Sequence, residues 1–145
     1  MTLFNLFESS LFFSPYKYNI MKTPFTTEAF FQVFENYNMM IFPVQLIILA
    51  MGIIAVLFIH SKADYRHQMI TVVLGFLWIW TGFVYHILSF SVINKAAYIF
   101  GAIFILQGVF FFVEMTKKRL EYIFDRSTRA YIGYFFIIFG LIVYP

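Results

Sequence analysis

Residues 69–92 read MITVVLGFLWIWTGFVYHILSFSV, and this stretch decides the fold class of the chain. It contains no Asp, Glu, Lys or Arg, and it is long enough to cross a bilayer, which needs about 20 apolar residues per helix. It also carries polar groups, of which the imidazole of His86 is the most unusual. A central question is therefore whether His86 binds something or is satisfied by a neighbouring helix.

The composition of the whole chain indicates the same class. Of 145 residues, 62% are hydrophobic and only 12% are charged, whereas a soluble domain usually has about 25% charged residues. The absence of cysteine excludes disulfides, iron–sulfur clusters and thiolate metal sites. No basic surface with interleaved aromatic residues indicates nucleic-acid binding. We therefore predict an all-α integral membrane protein. Its expected partner is the lipid bilayer.

Four apolar segments predict a polytopic transmembrane helical bundle. The predicted spans lie near residues 41–60, 69–92, 97–115 and 130–145, which together form a membrane domain over residues 41–145. The last segment is short for a span, and the chain stops where it should leave the membrane. This pattern predicts either a thin terminal helix or a truncated form of a longer protein.

The N-terminal part divides into two segments. Residues 1–20 predict an irregular extension, and residues 21–40 predict an amphipathic helix that lies at the membrane interface. Pro24 and the threonines after it are typical of a helix start, and polar and aromatic residues then fall on opposite faces. An equally good alternative is that this helix packs on its own bundle or on another subunit.

Positive charge predicts the orientation. Most lysines and arginines lie in the connections at residues 61–68 and 116–129, and the second connection is expected to be a helix. Because cytoplasmic loops are enriched in Lys and Arg, both connections should be cytoplasmic. The N-terminus and Lys95 should then lie outside, in a multi-pass protein of the cell inner (cytoplasmic) membrane.

Polar and small residues recur at helical spacing on the second and third spans. The candidate intramembrane polar or binding face comprises Trp78, Thr81, Gly82, Tyr85, His86, Ser89 and Gln107. One interpretation is a closely packed helix pair in which Thr81, Tyr85 and Gln107 hydrogen-bond between helices. The other interpretation is that the face lines a cavity for a ligand or ion, since ionisable groups at membrane depth are often functional.

Histidines offer two further hypotheses. Ser89 or Tyr85 is near enough in sequence to satisfy His86, but a haem or quinone could instead use its ring. His67 lies about 28 Å away along the helix, so one haem cannot join these two histidines within a subunit. A weak metal-site candidate comprises His60, Asp64 and His67 in the first polar connection. No cofactor and no catalytic residues are predicted.

The sequence resembles a known family. PFTTEAFFQVFENYN and FPVQ near the first span, and the long run at residues 75–112, are similar to bacterial membrane proteins grouped as domain of unknown function 6064. The similar motifs are W-x-W-x-G-x-x-Y-H at 78–86, I-N-x-A-A at 93–97 and F-G-x-x-F-x-x-Q-G at 100–108. The resemblance covers residues 21–145. It implies a membrane protein that continues beyond the last residue, and it implies no established activity.

Three functions are compatible with these observations. The first is a small transport or permease-like component, which a cavity on spans two and three would favour. The second is a non-catalytic accessory or assembly subunit of a membrane complex, or a homo-oligomer, which a sealed helix pair with an exposed small-residue face would favour. The third is a redox protein that holds haem or quinone at His86.

Overall fold

The computed structural model describes residues 24–143, and every regular element in this range is helical. The predicted irregular extension at residues 1–20 lies outside the described residues. The five helices are α1 (Thr27–Ile41), α2 (Val44–His60), α3 (Arg66–Trp80), α4 (Ala97–Lys117) and α5 (Thr128–Ile138). Helix α3 continues into a π-helical segment, Thr81–Ser89, and a 3-10 turn, Phe90–Val92, while α5 continues into a second π-helical segment, Phe139–Val143. The all-α prediction is confirmed for this range.

Helix α1 begins where the sequence indicates a start. The Thr26 hydroxyl accepts a hydrogen bond from the backbone N–H of Ala29 (3.2 Å), which satisfies one of the free donors at the helix end. Val33 is buried, whereas the polar residues Glu28, Gln32 and Glu35 are exposed. The helix therefore has one packed face and one polar face, and its interfacial position stays a prediction.

Helices α1 and α2 meet at a sharp bend. Pro43 has no backbone N–H to donate, so it interrupts the helix and stands as the N-cap of α2. The two helix axes differ in direction by 86°. The predicted first span at residues 41–60 thus corresponds to α2 with a bend, rather than a straight run, at its beginning.

Two helices are apolar and long enough to cross a membrane, judged by length and composition. They are Arg66–Val92 and Ala97–Lys117, and a third span is obtained if the bent pair α1 and α2 counts as one. The apolar helix Thr128–Val143 is shorter. The bundle of four transmembrane helices therefore stays a prediction, and the apolar character of the helices agrees with it.

Helices α3 and α4 form an antiparallel hairpin whose backbones are in contact. A Cβ atom added to Gly82 would lie 2.8 Å from the carbonyl oxygen of Gly101. One level further along, a Cβ on Gly108 would lie 2.7 Å from the carbonyl oxygen of Gly75. Only glycine allows so close an approach at these positions, because any side chain would occupy the space of the facing backbone. The small residues thus close the seam between the two helices.

The connection between α4 and α5 is not the expected helix. Residues 119–127 have no regular structure, and we call residues 118–127 the strap. Lys118 adopts a left-handed backbone conformation (φ 51°) that ends α4. Along the strap, Leu120, Tyr122 and Phe124 are half-buried while the residues between them are exposed. This alternation explains the error, because inward-facing side chains hold the segment extended across the helix ends.

Candidate functional site

The predicted intramembrane face is divided by the π-helical segment at residues 81–89. A π-helix is wider than an α-helix, so residues placed on one face by α-helical spacing turn to different neighbours. Trp78, Gly82 and His86 face α4, whereas Tyr85 packs against α1. The sequence contained no signal for the π-helical segment, which directs the residues of the candidate face to two different neighbours. Their role in binding stays a prediction.

The α4 side of this region is aromatic and closed. Phe104 of α4 contacts both the Trp78 ring and the His86 ring, with centroid distances of 4.7 and 4.8 Å. Phe100 lies 6.1 Å from His86 in a stacked arrangement. Together with the contact of Gly82 on Gly101, these rings fill the space where a ligand cavity was one of the two expectations.

The α1 side is an aromatic cluster that the sequence analysis did not identify as a site. The indole N–H of Trp80 donates a hydrogen bond to the hydroxyl of Tyr37 (3.0 Å). Tyr85 packs against Phe34 and Tyr37 with ring centroids 5.5 and 5.3 Å away. The cluster attaches α1 to the hairpin of α3 and α4. The sequence indicates this cluster only through the apolar face of α1. That face predicts that one side of α1 is buried, but it does not identify the helix against which it packs.

Hydroxyl groups in this region bond to their own helix. Thr81 donates to the carbonyl of Leu77 (2.9 Å), so the prediction that Thr81 hydrogen-bonds between helices is wrong. The Ser89 hydroxyl donates to the carbonyl of Val84 (3.0 Å). The Gln107 side chain is half-buried, and no hydrogen bond within residues 24–143 links it to α3. Packing of glycines and rings therefore holds the hairpin together.

His86 keeps one buried nitrogen without a partner. Its Nδ1 atom has no hydrogen bond within the described chain, and the Ser89 hydroxyl donates to a backbone carbonyl. Neither of the expected partners, Ser89 or Tyr85, therefore satisfies this nitrogen. No second histidine lies beside it, since His60 and His67 bind partners at the other end of the hairpin.

The weak metal-site candidate in the first connection is not formed. His60 Nε2 hydrogen-bonds with the Tyr134 hydroxyl (2.5 Å), and His67 Nδ1 accepts the backbone N–H of Tyr122 (2.9 Å). Within residues 24–143 no three His, Asp or Glu side chains approach closely enough to hold a metal ion. The two imidazoles instead attach α5 and the strap. The residue pattern of the loop around Asp64 could not predict this, because both partners are distant in the sequence.

A small polar cavity lies beneath the strap. Its volume is about 70 Å³, and a water molecule needs about 10–15 Å³ by this kind of measure, so it can hold a few waters. Its lining includes His67, Gln68, Thr71, Glu114, Lys118 and Glu121. The side-chain amide oxygen of Gln68, one of the lining residues, is buried without a hydrogen-bond partner in the described chain. Charged residues far apart in the sequence form this cavity, so no local pattern in the sequence predicts it.

The strap is anchored through Tyr122 and Phe124 in its middle. Tyr122 donates its amide to His67, and its hydroxyl lies 3.2 Å from the Thr71 hydroxyl, while the Phe124 ring packs 4.8 Å from the Tyr134 ring. Near α5, the side chain and the backbone N–H of Ser127 hydrogen-bond to Asp125 and hold the pKa of that carboxyl below its ordinary value. The two most basic connections of the chain thereby meet at one end of the hairpin.

The fold and these contacts define an all-helical protein with helices apolar enough to span a membrane. The chain belongs to the Family of unknown function (DUF6064), whose model matches residues 27–145. The resemblance noted from the sequence is thus confirmed. None of the curated proteins matches the chain, and no solved structure matches it.

Proposed function

We propose that this chain is an integral membrane protein that acts as a non-catalytic accessory or assembly subunit of a membrane complex. The observation that carries the proposal is the closed seam between α3 and α4, where the backbones of Gly82 and Gly101 touch. A helix pair of this kind is a packing element. It leaves no path along the face that would have contacted a cargo.

The exposed surface supports the same function. Large apolar side chains are exposed along α4 and α5, such as Ile99 (66%), Phe135 (64%) and Phe136 (65%). Such a surface is suited to lipid and to other helices. On α5, Gly133 and Gly140 are exposed, and nothing lies within 4 Å of a Cβ added to either. The sealed pair and the exposed small-residue face are the combination that favours an accessory subunit.

The transport and redox functions have less support. A transport component needs a path for its cargo, and the cavity beneath the strap holds only a few waters at one end of the hairpin. A haem or quinone at His86 would have to displace the Phe104 ring that packs against it. Either function would require a rearrangement of the hairpin.

The proposal is tested by photo-crosslinking in intact membranes. A benzoylphenylalanine placed at Phe136 on α5 should give one adduct of reproducible mass, and the same probe at buried Ile70 (3% exposed) should give none. Crosslinks to lipid alone would overturn the accessory role. An adduct of twice the 17.2 kDa chain mass would identify a second copy and replace the accessory subunit by a homo-oligomer.

The proposed topology places the strap in the cytoplasm and the turn at Lys95 outside. The natural absence of cysteine makes single-cysteine labelling free of background. Lys95→Cys should react with an impermeant maleimide in intact cells, whereas Arg119→Cys should react only after permeabilisation. The reverse pattern would invert the topology, and extraction of the chain by alkaline carbonate would refute membrane integration.

A further inference from the structure

Three basic residues around the strap occupy positions that local structure does not favour for them. Lys118 and Arg126 have positive φ angles of 51° and 58°, a left-handed conformation in which glycine has the least strain. Arg129 lies in the first turn of α5, where a positive charge opposes the helix dipole. Backbone geometry therefore does not account for the basic side chains at these three positions.

The same residues are not used in ion pairs within the described chain. Glu114 pairs with Lys117 (3.4 Å) and lies 4.0 Å from Arg119. Asp125 is held by Ser127. No described carboxylate forms a salt bridge with Lys118, Arg126 or Arg129, and all three side chains are exposed. Their charges are available to a partner outside the chain.

The strap also exposes an apolar side chain between the basic ones. Ile123 is 63% exposed, while its neighbours Tyr122 and Phe124 turn inward and hold the strap in place. Its exposed neighbours on the same side are Glu121 and Asp125, and the unpaired cations Lys118 and Arg126 lie towards the two ends of the strap. An exposed isoleucine on a segment with unpaired cations at both ends matches a membrane surface, where acyl chains lie directly below negative headgroups. A free phosphate has no apolar part that could contact Ile123. An acidic protein could bind the basic residues anywhere on the surface, whereas a lipid is available only beside the proposed membrane-embedded hairpin.

We propose that the strap is a binding surface for anionic glycerophospholipids. Lys118, Arg126 and Arg129 contact the lipid phosphates, and Ile123 inserts among the upper acyl chains. This inference rests on the proposed membrane location and adds the lipid class that the protein recognises. The anchors of Tyr122 on His67 and of Phe124 on Tyr134 hold the surface in place before lipid binds.

Native mass spectrometry of the full chain in mild detergent tests the proposal. Phosphatidylglycerol should bind more tightly than phosphatidylcholine. The double variant Lys118→Gly/Arg126→Gly should lose about fivefold in affinity per removed charge, or about 25-fold in total. Glycine is favoured at both positions, so the variant should unfold no earlier than the natural protein. Lys95→Gln, which removes a charge at the opposite end of the hairpin, is the matched control and should bind normally.

Two further variants keep the test decisive. Arg129→Gln should weaken binding about fivefold even if the glycine variant fails to fold. Ile123→Ser should weaken binding of phosphatidylglycerol without a change in charge. Equal binding of the two lipids, unchanged affinity in the charge variants, or competition by millimolar inorganic phosphate would each overturn the inference. Membrane integration is scored separately by alkaline carbonate extraction, so its failure is distinguishable from failure of lipid selection.

Discussion

Three helices of this protein carry two glycines seven positions apart, and they use them differently. The pairs are Gly75 and Gly82 on α3 and its π-helical continuation, Gly101 and Gly108 on α4, and Gly133 and Gly140 on α5 and its π-helical continuation. On α3 and α4 an added Cβ would lie about 3 Å or less from atoms of the facing helix, whereas on α5 it would meet nothing within 4 Å. The spacing alone therefore permits close packing without producing it.

The difference arises from the turn between α3 and α4. Asn94 accepts hydrogen bonds from Ala96 through its side chain (3.0 Å) and from Ala97 through its carbonyl (3.0 Å). This short turn sets the antiparallel register, so that Gly82 comes opposite Gly101. Helix α5 follows the extended strap and is attached through Tyr134, in its middle, to Phe124 and His60, and its glycines stay unopposed.

The largest expected effect follows from filling the hairpin seam. In Gly82→Leu the new side chain would collide with the Gly101 carbonyl and with Ile105, whose Cγ1 atom would lie 2.9 Å from the Cβ. The helices would have to separate, and overpacking of this kind costs about 3 kcal/mol. Thermal unfolding in detergent, followed by circular dichroism, should show a large fall in Tm.

Helix α5 supplies the matched control for the seam. Gly133→Leu places the same side chain in open space, so the free energy of unfolding should not fall, and higher helix propensity should raise it by about 1 kcal/mol. Equal losses of stability in the two variants would show that the two glycine pairs do not differ. This outcome would contradict the contrast between the closed seam of α3 and α4 and the open face of α5, on which the proposed accessory role depends.

The next effect concerns the attachment of the strap. In His67→Ala the buried amide of Tyr122 loses its acceptor, which should destabilise the strap locally by about 1–2 kcal/mol. Hydrogen exchange of residues 119–127 should become faster, while the hairpin amides should stay protected. His60→Ala is the comparison variant: it removes the contacts of His60 with Tyr134 of α5 and with the Phe124 ring (5.9 Å) but leaves the Tyr122 amide bonded, so exchange at Tyr122 should stay slow. Unchanged exchange in His67→Ala would mean that ring packing alone holds the strap.

A smaller effect is expected at the aromatic cluster. Tyr37→Phe keeps the ring against Tyr85 and removes the acceptor of the Trp80 indole N–H. The loss of one neutral hydrogen bond should lower the free energy of unfolding by about 1 kcal/mol. In a Trp78→Phe background, the fluorescence of Trp80 reports the change directly. Tyr98→Phe, at a tyrosine that is 48% exposed, should have no effect; an equal loss there would rule out a specific role for the Trp80 hydrogen bond.

The helices were predictable because their signals are local. The apolar runs predicted spans at residues 69–92 and 97–115, close to the observed Arg66–Val92 and Ala97–Lys117. The Thr26 cap follows from residue type, and the close approach of small residues follows from their spacing together with the short turn at Asn94. Each of these features depends on residues of one helix or of two helices joined by a short turn.

The site was less predictable because it depends on non-local contacts. The π-helical segment at residues 81–89 sends Tyr85 and His86 to different helices, and periodicity at α-helical spacing cannot reveal it. His67 appeared to be a ligand of its own loop, but its partner is Tyr122, which is 55 positions away. The strap resembled a helix by its charged composition, whereas inward-facing aromatic residues hold it extended.

The smallest effect expected is a pH dependence at the junction of strap and α5. Asp125 Oδ1 accepts the backbone N–H of Ser127 (3.1 Å), and the two hydrogen bonds from Ser127 favour the carboxylate form, so the pKa of Asp125 lies below its ordinary value of 3.8. A lowered pKa stabilises the folded junction above pH 3.8, and this contribution is lost as the pH falls through the folded-state pKa. The amide shift of Ser127, followed by NMR, should be constant at neutral pH and should move only in that acidic window.

In Asp125→Asn the pH dependence should disappear while α5 keeps its Ser127 cap on Ala130. A titration midpoint above 3.8 would mean that Ser127 does not favour the charged form of Asp125. The hydrogen bonds from Ser127 would then no longer explain why Asp125 forms no salt bridge with Arg126.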